Sequence, residues 1–135
     1  MSKIKLVLLS SVLVSGVSFA APACDSFEVK LKNNLADDLL ITNIKLEGAK
    51  IQPNFIEKLA SKTAQVFTIN GSDANVPMTG EFTLHTISLP IKTVKINYTL
   101  NNGTVCTHND ASPLSDYAVD KQRKIGQVEY SISNK

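Results

Sequence analysis

The chain has no tryptophan, only two histidines and only two cysteines among its 135 residues. Each shortage excludes something. His85 and His108 are the only imidazoles available as a base or a metal ligand. A zinc site draws three or four ligands from Cys, His and carboxylates, and no spacing here supplies them. Asp110, Asp116 and Asp120 could ligate calcium through their oxygens, but their spacing fits no EF-hand loop. There is no G-x-S-x-G elbow and no Gly-rich phosphate loop. Asn70-Gly71-Ser72-Asp73 reads as turn chemistry instead. The expectation is a protein without cofactor or metal and without catalysis. A small hydrolase built on His85 or His108 is the enzymatic alternative.

The chain also lacks long apolar runs, with one exception. Met1 to Lys5 carries two lysines, Leu6 to Val17 is almost wholly apolar, and Ser18-Phe19-Ala20 supplies small residues at cleavage positions. That pattern is a secretory leader, too short for a stable membrane span. Residues 1–20 are therefore expected to be removed, leaving 21–135 as one domain in a secreted or periplasmic setting. Without Lys3 and Lys5, 12 basic residues face 12 acidic ones. A chain with no net charge is a poor general binder of nucleic acid.

In an oxidising compartment an even cysteine count reads as disulfide bonding, here Cys24 to Cys106. The rival reading makes Cys24 a lipoprotein cysteine. The preceding Ala21-Pro22-Ala23 lacks the leucine that such a site carries three residues upstream.

What is present is alternation. Phe27, Val29 and Leu31 share one side of a strand, and Leu40, Thr42, Ile44 and Leu46 form a second set. Ala64, Val66 and Thr68 alternate with Gln65, Phe67 and Ile69, and a further strand covers 81–86. The stretch from Ile91 to Leu100 is the clearest strand, with Val94, Ile96, Tyr98 and Leu100 on one face; Tyr117 and Val119 begin a short strand, and Val128, Tyr130 and Ile132 mark the last. Asn101-Asn102-Gly103 predicts a tight type I′ hairpin. Asp120 to Lys124 reads as a charged turn, and Asn54 to Ser61 is the one segment with helical spacing, a strand followed by a turn being its alternative. The sum is an all-β chain: a single antiparallel β-sandwich of about seven to nine short strands, with at most one short helix. Tyr98, Tyr117 and Tyr130 share parity with aliphatic neighbours and are expected in the core.

The densest charge lies at Lys121, Arg123 and Lys124, which with Lys92 and Lys95 could bind an anionic lipid headgroup or a sulfated glycan. The plainer reading is a solvated turn whose lysines deter strand pairing. Asn-x-Ser/Thr at Asn70, Asn97 and Asn102 is read as chance, since the leader and the Lys/Asn/Ile-rich composition look bacterial.

The segment from Asn70-Gly71-Ser72-Asp73-Ala74 through Thr79-Gly80-Glu81-Phe82-Thr83-Leu84 resembles the aegerolysin family. Phe27 to Leu35, Ile51-Gln52-Pro53 and Ile125 to Ile132 fit the same layout in the same order. The resemblance implies a compact β-sandwich that binds membrane lipids, often sphingolipids, and sometimes recruits a perforin-like partner. Two features depart from it. The family carries tryptophans on a late strand, where this chain has Val94 to Thr99 and no tryptophan, and the leader is not typical. The resulting expectation is a secreted, non-catalytic module that recognises a lipid headgroup or another host or competitor surface, a role that would suit a virulence factor. The alternative is an inhibitor or accessory subunit that binds a protein partner and ignores lipid.

Overall fold

The computed structural model describes residues 21–135, so the leader lies outside the described residues. It is all-β, with ten strands and no helix among those residues: β1 (Phe27–Asn33), β2 (Leu39–Glu47), β3 (Lys50–Gln52), β4 (Lys58–Leu59), β5 (Ala64–Asn70), β6 (Met78–Thr86), β7 (Thr93–Asn102), β8 (Cys106–Asp110), β9 (Ala118–Lys124) and β10 (Gln127–Ser133). One sheet runs β3-β5-β1-β10-β9 and the other β4-β2-β6-β7-β8. All pairs are antiparallel except the first strand against the last, Val29 beside Val128 and Leu31 beside Tyr130. The chain ends thus meet in the middle of one sheet. The two inner faces form a β-sandwich, as the alternation implies.

The core follows strand parity. Phe27, Val29, Leu31, Val128, Tyr130 and Ile132 face Met78, Phe82, Leu84, Val94, Ile96, Tyr98 and Leu100, all essentially without solvent contact. A row of rings crosses the interior: Phe67 to Phe82 at 4.9 Å, Phe82 to Tyr98 at 5.9 Å, Tyr98 to His108 at 6.0 Å and His108 to Tyr130 at 5.7 Å. All three tyrosines are buried.

The disulfide is present, with Cys24 and Cys106 Cα atoms 4.7 Å apart. It ties the N-terminal turn to the start of β8 and leaves Cys24 no free sulfur for a lipid. A polar clasp reinforces it. The Cys24 amide donates to Asn102 Oδ1 at 2.6 Å, and Asn102 Nδ2 donates to Ser72 Oγ at 3.2 Å. Ser72 in turn donates to Asp25 at 2.7 Å. The polar residues of the Asn70–Asp73 turn therefore serve to fasten the beginning of the chain.

Four local expectations are corrected. Asn54 to Ser61 is a turn leading into β4, not a helix. The segment is too short to nucleate a helix alone, and Leu59 gains burial by pairing with Leu39. In β2 the register shifts between Ile41 and Asn43, so Leu39 and Ile41 enter the core rather than Leu40 and Thr42. Beyond this bulge, Ile44 and Leu46 regain the inner side. The β7–β8 connection is a three-residue loop, Gly103 to Val105, because Asn102 still pairs with Cys106. Finally, Asp120 to Lys124 is strand, paired along its length with β10.

Candidate functional site

While Leu114 and Ile125 are exposed elsewhere, three of the exposed large apolar side chains lie close in sequence at the end of the β6–β7 hairpin. Thr86 and Lys92 close its loop with two hydrogen bonds. The Thr86 amide donates to the Lys92 carbonyl, and the Lys92 amide donates to Thr86 Oγ1, both at 2.9 Å. Between them Ile87, Leu89 and Ile91 are 58%, 85% and 60% exposed. Pro90 denies this stretch one backbone donor and blocks extension of either strand through it. The clasp joins the two ends of the loop, so three exposed aliphatic side chains fall within one short hairpin tip. Such a cluster has little reason to stay wet unless it meets something apolar.

The base of the tip is fixed by polar contacts. His85 Nδ1 lies 3.1 Å from Thr93 Oγ1, and the Thr93 amide donates to Asp116 at 2.8 Å. Lys92 is exposed, with Nζ 5.2 Å from the centroid of the Tyr117 ring. A cation therefore stands directly behind the apolar tip.

The five basic residues singled out by sequence divide among several directions. Lys92 belongs to the tip. Lys95 lies on the outer face of β7 and pairs with Glu81 at 3.5 Å. Lys124 lies on the outer face of the opposite sheet and pairs with Glu129 at 3.3 Å. Lys121 and Arg123 share parity with Val119 and point to the inner side of β9. The Arg123 guanidinium donates to the carbonyls of Lys124, Gln127 and Cys106, and packs 4.9 Å from the Phe27 ring centroid. It clips the two sheets together at their open side.

His108 lies inside that clip. Its Nε2 is 2.8 Å from the Tyr130 hydroxyl, which donates to Asp110 at 3.0 Å. Since an ionised Asp110 can only accept, Tyr130 spends its proton there, and His108 must donate through Nε2–H. Burial, with Arg123 and then Lys121 nearby, pushes His108 down to about 4 despite Asp110. Ser112 also donates to Asp110, at 2.6 Å. The hydroxyl of Ser112 thus meets a carboxylate rather than a histidine, and no Ser–His hydrogen bond occurs among the described residues. Asp110, Asp116 and Asp120 do not converge, and no group of three or more metal-ligating side chains occurs among the described residues.

Sequence reasoning missed Ile87, Leu89 and Ile91. Ile91 reads as the start of the clearest strand, but β7 begins only at Thr93, and the available signal was the apolar stretch interrupted by Pro90. No family model matches this chain, and no curated protein matches it.

Proposed function

We propose that this chain is an exported, non-catalytic β-sandwich module that docks reversibly on lipid headgroups, in the manner the aegerolysin resemblance implies. The observation that carries the reading is the clasped tip of Ile87, Leu89 and Ile91 with Lys92 behind it. No helix among the described residues is long and apolar enough to cross a membrane, so contact would be interfacial. Fully burying one large aliphatic side chain is worth about 1.5–3 kcal/mol. Three side chains already partly covered would yield roughly 3–5 kcal/mol. A lysine near an anionic surface adds about 1 kcal/mol. That total corresponds to roughly millimolar to high-micromolar binding, suited to reversible attachment or to multivalent display.

The test is co-sedimentation of residues 21–135, disulfide formed, with phosphatidylcholine vesicles and with vesicles also containing phosphatidylglycerol. Binding should rise with the anionic lipid. Ile87→Ser, Leu89→Ser and Ile91→Ser combined should abolish it, while Lys92→Ser should remove only the anionic increment. Replacing Lys121, Arg123 and Lys124 by Ser tests the basic cluster separately. Sedimentation of the triple tip variant equal to the parent would refute the tip as the docking element.

A further inference from the structure

The open side of the sandwich carries a feature independent of the tip. Four strands bound the two sheets. β3 and β4 span three and two residues and β8 spans five, whereas β9 spans seven. Backbone direction along β9 follows from its partner. The carbonyls of Gly126 and Ile132 accept from Glu28 and Asn34, on the β1 side of β10. Residues of that parity in β10 therefore turn toward β1, and Gln127, Glu129 and Ser131 turn toward β9. Their partners are Lys124, Gln122 and Asp120. By alternation, the N–H and C=O groups of Val119, Lys121 and Arg123 point away from the sheet. They form a free row of backbone donors and acceptors.

Two hollows lie beside this row. One, of about 750 Å³, is lined by Arg123, Lys124, Val105 and Ile125, with the Cys106 end of the disulfide as its wall. The other, of about 510 Å³, is reached by Lys121, Lys135 and Asp120. The larger hollow has cationic and apolar walls and no carboxylate.

An edge bearing Lys121, Arg123 and Lys124 repels neutral aggregation and basic strands. The same charges become cross-strand attractions for one class of partner. We propose that β9 is a docking edge for an extended, acidic segment of a partner protein, which adds to the sheet as a further strand and sets the carboxylates of one face against Lys121 and Arg123, which share a face of β9.

The experiment titrates isotope-labelled residues 21–135 with a synthetic peptide of alternating valine and glutamate, and with its valine–lysine counterpart. The acidic peptide should bind at least about tenfold more tightly than the basic one, from the charge pairs with Lys121 and Arg123 set against repulsion. It should slow amide exchange at Val119, Lys121 and Arg123. Lys121→Pro removes one outward N–H while leaving the β10 ladder intact, and should abolish binding. If that variant does not fold, Lys121→Glu should weaken the acidic peptide by about tenfold instead. The combined Ser variant of Ile87, Leu89 and Ile91 should bind the peptide as the parent does, which separates this edge from membrane docking. Equal affinity for the two peptides, or no exchange protection at those three amides, would overturn the proposal.

Discussion

Gly80→Ala should be among the most damaging single-methyl additions this protein can receive. Gly80 sits in β6 directly opposite Tyr98 of β7, and both face the core. A Cβ built on Gly80 would lie 2.0 Å from Tyr98 Cζ, 2.3 Å from its hydroxyl oxygen and 2.5 Å from Cε1. Ordinary contact begins well above 3 Å, so the ring would have to move by more than an ångström. It has nowhere to go. Tyr98 is 1% exposed and stacked between Phe82 and His108. Overpacking of a filled core costs about 1–3 kcal/mol and occasionally more, and a clash with a rigid ring belongs at the upper end. About 3 kcal/mol corresponds to a fall in Tm of roughly 12 °C for a domain near this size. The assay is urea and thermal unfolding of four proteins: parent, Gly80→Ala, Tyr98→Leu and the double variant. Tyr98→Leu opens the space, so the alanine should cost under about 1 kcal/mol in that background. Tyr98→Phe removes the oxygen but keeps Cζ, and should give no such rescue. A parent-like Gly80→Ala protein, or the same penalty in both backgrounds, would refute the steric account.

Two further outcomes follow from buried polar groups. Asn33 has no solvent contact, and its Nδ2 donates to the carbonyls of Asp37 and Leu59 while its Oδ1 accepts from the Leu35 amide. Asn33→Ala would strand three backbone groups at the crossing between sheets, costing about 3 kcal/mol by urea denaturation; an effect below about 0.5 kcal/mol would contradict the assignment. His108 titrates near 6.5 when unfolded and near 4 when folded. Between those values the unfolded chain binds the extra proton, so this stability is present above 6.5 and is lost as pH falls toward 4. Discounted for partial exposure, the loss is about 2 kcal/mol. His108→Gln should flatten the pH dependence of the urea midpoint across that window, and an unaltered slope would show that other groups set it.

The class of fold was legible in the amino-acid sequence. Alternation marks a strand wherever one face is buried, and Phe27 to Leu31, Val94 to Leu100 and Val128 to Ile132 each bury one face completely. It also placed the three tyrosines inside and paired Cys24 with Cys106, since parity and an even cysteine count are local or arithmetic facts. Of β9 the sequence showed only the beginning, at Val119, and Asp120 to Lys124 read as a turn. Its inner positions beyond Val119 are Lys121 and Arg123, because an edge strand lies over the rim of the core and needs no apolar row. It mistook the inner face of β2, because a one-residue register shift reverses parity and leaves no mark in composition.

The dispersal of the five cations over different faces came from the folding of the two sheets. Sequence distance carries no information about which sheet, or which face, receives each lysine. The same limit hid the reason for Gly80, whose missing side chain is the space that a tyrosine from the neighbouring strand occupies. It hid the tip as well. Ile87, Leu89 and Ile91 look like core residues until the strands on either side are seen to end at Thr86 and begin again at Thr93, leaving them in water.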